Sequence, residues 1–251
     1  MKRLVIFLLC MIISVITFGQ EKKEYKDEIK GVKVSPPRFI GNEELLTVLN
    51  ETRFGTLNDF LIRHIQYPEE AKDWQQEGTE VIKFVVTPKG EVTGFNIINS
   101  VSPEIDREVL RVLKTTNGLW RPGLYNGEPV EMAKEVSINF KFCNGPEEIN
   151  NATDFVDRAK LFFIKGNRQL FKENNKSALK QYNRAVRYLP NDKSLLVIRG
   201  LCRYKLGDKI GACQDWNRIK ALGGLDSDYY LNNFCEFKGY SDMISTLKDK
   251  K

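Results

Sequence analysis

The sequence predicts two modules: an α+β domain with two helices on a three-stranded antiparallel sheet, and after it an all-α array of helical hairpins. Two observations predict them. In the middle of the chain, a helical pattern, a hairpin of two alternating segments, a second helical pattern and a last alternating segment follow one another. In the C-terminal third, similar residues recur at a spacing of 34, and a fixed period of this size is typical of stacked helical hairpins.

The N-terminus has the layout of an export signal. Two basic residues precede an apolar run over residues 4–18, and Thr17 and Gly19 stand three and one residues before an expected cleavage site at Gln20. We therefore expect residues 1–19 to be a signal peptide that is removed on export. The alternative is an uncleaved membrane anchor in contact with the lipid, although the run is shorter than the ~20 residues that span a bilayer comfortably.

The first helix of the middle domain follows a charged stretch. Residues 20–44 are rich in charge and contain a Pro-Pro pair, which predicts a tether. Thr56 and Asp59 have the spacing of a capping box and predict the start of a helix. The helix is expected to end before Tyr67-Pro68, because proline disfavours a helical conformation in the residue before it.

A hairpin and a second helix come next. Residues 80–86 and 91–99 alternate in polarity and predict two strands, joined by a turn over residues 87–90 with proline at its second position and glycine at its fourth. Ser102 is a suitable N-cap for the second helix, with Pro103 at its first position.

The last strand is predicted up to Phe142, after a turn at Asn126-Gly127. Within it, Val136, Ile138 and Phe140 alternate with polar residues, which predicts one buried and one polar face. Two helices covering one face of a small antiparallel sheet is the simplest arrangement of these elements.

Several motifs of this domain resemble those of a known family. They are Tyr67-Pro68-x-x-Ala71, the spaced Gly78, Phe84-x-Val86, Gly90-x-Val92, Asp106-x-x-x-Leu110 and Trp120-x-Pro122-Gly123-x-x-Asn126-Gly127-x-Pro129-Val130. Over residues 45–143 the chain resembles the C-terminal domain of TonB-family proteins. The resemblance implies a periplasmic domain that binds a short peptide, the TonB box, of an outer-membrane receptor, as an added strand beside the last strand of the sheet.

The free edge of that last strand is the predicted binding site. A terminal strand of an open sheet leaves main-chain N–H and C=O groups unpaired, and these can template an incoming strand. The alternative is that the downstream helices cover this edge. The predicted peptide-binding residues are Glu135, Val136, Ser137, Ile138, Asn139 and Phe140.

The C-terminal module, residues 151–251, resembles tetratricopeptide repeats, with copies at about residues 159–192 and 193–226 and a C-terminal capping helix. The recurring pairs are Gly166 and Gly200, Ala178 and Ala212, Tyr182 and Trp216, and Ala185 and Ile219. Repeats of this kind hold other proteins, so this module is predicted to be a scaffold for a second contact.

The charge of the chain is uneven. Residues 151–251 contain 20 Lys/Arg and 11 Asp/Glu, while the whole chain carries a net charge of +6. Lys176, Lys180, Arg184 and Arg187 fall on one side of a predicted helix. They form either a cationic face for an acidic partner or an ordinary solvated face. No nucleic-acid-binding motif accompanies them, so nucleic acid is not an expected partner.

Four cysteines remain after the signal: Cys143, Cys202, Cys213 and Cys235. An even number in an oxidising compartment favours disulfides, and four cysteines allow three pairings. We favour Cys213–Cys235, which would join a repeat helix to the capping segment, and buried free thiols are the alternative.

The sequence shows no sign of catalysis. It contains one histidine, His64, and lacks a nucleophile elbow, a phosphate-binding loop, a metal-ligand pattern and any cofactor motif. We therefore expect a non-enzymatic envelope protein that captures a peptide strand of an outer-membrane transport partner. One alternative is a membrane-anchored energy transducer for receptor-mediated transport, although the ~25 residues of tether would reach only ~85 Å. The other is a structural scaffold that binds through the helical array alone.

Overall fold

The structure is a computed structural model that describes residues 32–41, 56–141, 153–225 and 227–235. All the elements considered below lie in one compact unit, Val34–Lys251. The predicted fold class is confirmed: an α+β domain with antiparallel sheets is followed by a region of several helices.

The central sheet of the described chain has three antiparallel strands. β3 (Gly78–Val86) lies in the middle, while β4 (Val92–Asn99) and β8 (Met132–Phe140) flank it. The hairpin between β3 and β4 closes at Gly90, whose φ is +77°, and a Cβ there would collide with the carbonyl oxygen of Trp120. The predicted hairpin and lone last strand are therefore present, and the last strand lies at one edge.

Helices cover one face of this sheet. α1 (Leu57–His64) begins with the expected capping box, in which the Thr56 hydroxyl accepts from the Asp59 N–H and the Asp59 carboxylate accepts from the Thr56 N–H. α2 (Glu69–Asp73) is short, and α3 (Pro103–Lys114) follows its N-cap Ser102. The core between helices and sheet contains Leu61, Ile65, Tyr67, Ala71, Ile82, Phe84, Val86, Ile105, Val109, Val112, Leu113, Trp120, Val136, Ile138 and Phe140.

Part of the stretch that was expected to be a tether belongs to this domain. β1 (Val34–Ser35) pairs with β6 (Gly123–Tyr125), and β6 also pairs with β7 (Glu128–Val130) through the Asn126-Gly127 turn. β2 (Arg38–Phe39) pairs with β5 (Trp120–Arg121). The Phe39 ring meets the rings of Phe60 and Trp120 at 5.3 and 5.4 Å. These pairings extend the described domain to residues before 45. The sequence did not predict them, because two-residue strands are too short to produce a pattern.

The C-terminal region consists of antiparallel helical hairpins. The bounds are Thr153–Phe171 for α4, Asn175–Tyr188 for α5, Lys193–Lys205 for α6, Lys209–Ala221 for α7 and Ser227–Phe234 for α8. α4 packs against α5, and α6 packs against α7, with further contacts between α5 and α6 and between α7 and α8. Asn174, Asp192 and Asp208 cap α5, α6 and α7 through side-chain oxygens that accept main-chain N–H groups.

The spacing of 34 has a direct structural cause. A Cβ on Gly166 of α4 would lie 2.5 Å from the Tyr182 ring of α5, and a Cβ on Gly200 of α6 would lie 2.5 Å from the Trp216 ring of α7. Each large ring thus fills the space above a glycine within its own hairpin. We call α4–α8 the helical array; its assignment as tetratricopeptide repeats remains a prediction.

A buried ion-pair cluster joins α6 to α7. The Asp215 carboxylate accepts from Arg199 at 3.0 and 2.5 Å and from Arg203 at 2.9 Å.

Candidate functional site: a sheet edge beside the helical array

All six residues predicted to bind a peptide lie on β8. This strand pairs with β3 from Gly78 opposite Phe140 to Val86 opposite Met132, and no other described strand pairs with it. Val136, Ile138 and Phe140 point into the core, whereas Ser137 is exposed on the opposite face. One main-chain edge of β8 is therefore unpaired by any strand in the described part of the chain.

The helical array docks on the face of the sheet opposite α1 and α3. At the C-terminal end of α5, the Tyr188 carbonyl accepts from the Thr79 hydroxyl at 2.7 Å, and the Arg187 carbonyl accepts from the Asn99 side-chain amide at 3.4 Å. Gly78 permits this approach, because a Cβ on it would lie 2.7 Å from Arg187 Cγ. Thr79 and Val81 are buried at this contact.

Within the described part of the chain, two ion pairs connect the array to the domain. The Arg218 guanidinium of α7 donates to both carboxylate oxygens of Glu135 on β8, at 2.7 and 2.5 Å. Arg158 of α4 pairs with Glu77, just before β3. Among the described residues, no main-chain hydrogen bond joins the array to β8. The array thus contacts β8 through a side chain and leaves the strand's outer main-chain groups without a described partner.

The four predicted basic residues occupy α5 and are all exposed, but they have different surroundings. Arg184 lies over the Phe162 ring, 5.5 Å from its centroid. Arg187 lies at the junction with β3, where its side chain packs above Gly78. Lys176 and Lys180 are exposed toward the other end of the helix. All four side chains are exposed, and the cationic face for an acidic partner stays a prediction.

Cys213 and Cys235 form a disulfide, as predicted, with a sequence separation of 22 residues. It links α7 to the residue that follows α8. Cys202 is a buried free thiol whose Sγ donates to the Asn175 carbonyl at 3.2 Å, and burial raises its pKa. Cys143 lies outside the described residues.

Reduction of this disulfide should destabilise the helical array. Opening a loop of this length removes a restraint on the unfolded chain and is expected to cost about 3 kcal/mol of unfolding free energy. The measurement is urea unfolding of the full chain with and without dithiothreitol. A variant with Cys213→Ser and Cys235→Ser should be insensitive to the reductant, and an unchanged midpoint for the natural chain would contradict the prediction.

Glu80 is a core residue that belongs to none of the sequence motifs. Its side chain lies in the core between β3 and α3 and is fully buried. One carboxylate oxygen accepts from the Val101 N–H at 2.9 Å, and the other has no hydrogen-bond partner in the described structure. Burial raises the pKa of Glu80 to about 8, and the nearby Asp106 adds to the rise. Glu80 has the same parity along β3 as the buried Ile82 and Phe84, and this alternation was the available signal.

The described residues contain no group of three or more potential metal ligands. His64 is exposed at the end of α1, where its ring stacks on Phe60 and its Nδ1 lies 2.7 Å from the Phe60 carbonyl oxygen. None of the helices in the described ranges is long and apolar enough to cross a membrane. The expected signal segment lies outside those ranges.

Residues 63–142 match the family model described as Gram-negative bacterial TonB protein C-terminal. The predicted resemblance of this domain to the TonB C-terminal domain is confirmed. Domains of that family are non-enzymatic protein-interaction domains.

Two solution structures of the Helicobacter pylori TonB C-terminal domain are also similar to the chain. One, of residues 194–285, is 18% identical with a TM-score of 0.26, and the match covers 32% of this chain and 86% of that one. The other, of residues 179–285, is 18% identical with a TM-score of 0.28, and the match covers 42% of this chain and 98% of that one. No match was found among the curated proteins.

Proposed function

We propose that this protein is a non-enzymatic binding protein of the cell envelope, in which the free edge of β8 captures an extended peptide segment of an outer-membrane transport partner. The observation that carries the proposal is the position of β8, which pairs with β3 on one side only among the described strands. The similarity of residues 63–142 to the TonB C-terminal domain supports it.

The mechanism is β-strand addition. The outer N–H and C=O groups of β8 supply main-chain hydrogen bonds, which give affinity without depending on sequence. Side chains of the added strand alternate between two surroundings. On one face they extend the apolar row of Val136, Ile138 and Phe140, and on the other they approach the side of the sheet where the array docks.

The helical array gives this protein a second surface for protein contact, and its docking on the sheet holds the two surfaces in a constant orientation. We place the protein in the periplasm, with residues 1–19 removed on export. Retention of that segment in the inner membrane would favour the energy transducer instead. Mass spectrometry of the mature N-terminus in soluble and membrane fractions separates the two.

Amide hydrogen exchange tests the edge directly. In the free full chain, alternate amides along Met132–Phe140 should exchange fast because they point away from β3, while the intervening ones are protected by pairing with β3. A nine-residue strand-forming peptide of alternating threonine and valine should slow the fast set at least tenfold.

The amides of β3 supply the internal control, since they should be protected with and without peptide. Protection of every β8 amide in the free chain would mean that the edge is already covered. That outcome would contradict strand capture and favour a scaffold that binds through the array alone.

A further inference from the structure

Successive hairpins of the helical array contact different strands of the sheet, and the later hairpin contacts β8. The end of α5 lies over β3 and β4, where the Tyr188 and Arg187 carbonyls accept from Thr79 and Asn99. The next hairpin reaches β8, where Arg218 of α7 binds Glu135. An added strand would lie ~4.8 Å beyond β8, so its side chains on this face would lie next to the Arg218–Glu135 pair.

Arg218 is held firmly in this position. Besides its two bonds to Glu135, its Nη2 donates to the Asn191 side-chain oxygen at 2.6 Å. Only 14% of the Arg218 side chain is exposed, against 29% for Glu135. Fork-to-fork pairing of a guanidinium with a carboxylate is both strong and geometrically specific. The negative charge on this face of β8 is therefore neutralised by a residue of the array.

The other charged side chain of β3 and β8 on this face is positive. Lys83 on β3 lies directly opposite Glu135 in the strand pairing and is exposed. With Glu135 neutralised by Arg218, Lys83 sets the sign of the potential at this part of the edge and favours an anionic side chain.

This inference rests on strand capture at β8. We propose that the array determines the charge preference of the edge: the captured strand carries a carboxylate at the position beside Glu135, and Arg218 is the positioning residue that permits it. Directly opposite residues of neighbouring strands have Cβ atoms ~4.5–5.5 Å apart, and like charges there are destabilising. Without Arg218, Glu135 would repel that carboxylate and attract a lysine.

The partner segment is therefore an extended stretch with apolar residues on the core side and an acidic residue on the array side. A set of nine-residue peptides, TVTVXVTVT with X as Asp, Asn or Lys, presents this pattern, because X shares a face with the threonines. Binding to the full chain is measured by fluorescence anisotropy of labelled peptides. We expect the Asp peptide to bind on the order of tenfold more tightly than the Lys peptide, with Asn in between.

Charge substitutions separate this role from simple structural support. Arg218→Gln should lower the Asp-to-Lys affinity ratio by on the order of tenfold, and Glu135→Gln should raise it. The double variant Glu135→Gln with Arg218→Gln has the natural net charge at the site, so its ratio should return to within about threefold of the natural one. Lys209→Gln, at the other end of α7, is the matched control and should leave the ratio unchanged.

The outcomes distinguish the two proposals. Equal affinities for the three peptides, with binding intact, would overturn the charge preference and leave strand capture standing. If the Asp-to-Lys affinity ratio falls in both single variants and is not restored in the double variant, the ion pair has a structural role. That result would also overturn the charge preference. No binding of any peptide would overturn strand capture itself. If the chain then self-associates in sedimentation, a second copy occupies the edge.

Discussion

Replacing Trp216 with alanine should lower the unfolding free energy of the helical array by about 3–5 kcal/mol. Trp216 is fully buried, lies against Gly200 and stacks on Tyr230 of α8 with ring centroids 5.1 Å apart. The substitution therefore removes contacts to two neighbouring helices at once. The glycine beneath the ring cannot fill the resulting cavity, because it has no side chain.

The chain contains two other tryptophans that serve as controls. Trp74 is 78% exposed, so Trp74→Ala should change stability by less than about 0.5 kcal/mol. Trp120 is buried in the other module, where its ring meets Phe84 edge-on and its N–H donates to the Thr116 hydroxyl. Trp120→Ala should destabilise the α+β domain by a similar amount to the Trp216 change.

Urea unfolding followed by circular dichroism measures all three variants. If the two modules unfold together, both buried substitutions shift one transition. If the modules unfold separately, each substitution shifts only the transition of the module that contains it. A loss of less than about 1 kcal/mol for Trp216→Ala would show that the helices close around the vacated space, contrary to this prediction.

Replacing Glu80 with glutamine should raise the unfolding free energy at pH 7 by about 3 kcal/mol. Burial raises the pKa of this carboxyl to about 8, and its usual value is 4.5. At pH values between 4.5 and about 8, Glu80 holds a proton in the folded chain and has lost it in the unfolded chain. Each unit of pKa difference corresponds to about 1.4 kcal/mol, so folding is penalised progressively as pH rises.

The sign of the pH dependence follows from the direction of the shift. Below the unfolded pKa both states are protonated, so Glu80 carries no penalty there. Stability is lost as pH rises from about 4.5, and the loss is complete above about pH 8. Glutamine mimics the neutral carboxyl at every pH. The difference between variant and natural chain should therefore vanish near pH 4 and increase toward pH 8.

Urea unfolding at pH 4, 5, 6, 7 and 8 measures this difference. Glu91→Gln, a change at an exposed carboxyl in the β3–β4 turn, is the matched control and should show no such trend. If the rise in unfolding free energy caused by Glu80→Gln stays constant over this pH range, the carboxyl is already ionised in the folded core. In that case its second oxygen must have a hydrogen-bond donor that the described structure does not show.

Short-range patterns predicted the elements that bear the candidate site. The Thr56–Asp59 capping box and the Ser102-Pro103 start located two helices, because capping depends on residues only three positions apart. The alternation of Val136, Ile138 and Phe140 predicted which face of β8 is buried. The spacing of Gly166 and Gly200 indicated hairpins, since each glycine admits a ring from the next helix.

By itself, therefore, the sequence determined the order of elements, their buried faces and the favoured disulfide. Only the tertiary structure decided how the array docks, how Arg218 meets Glu135 across 83 residues, and that Arg187 packs at the junction. It also decided that the Glu80 carboxyl is enclosed. Helix and strand periods arise from neighbouring residues, whereas an ion pair or a buried charge depends on distant segments brought together by folding, which no local pattern records.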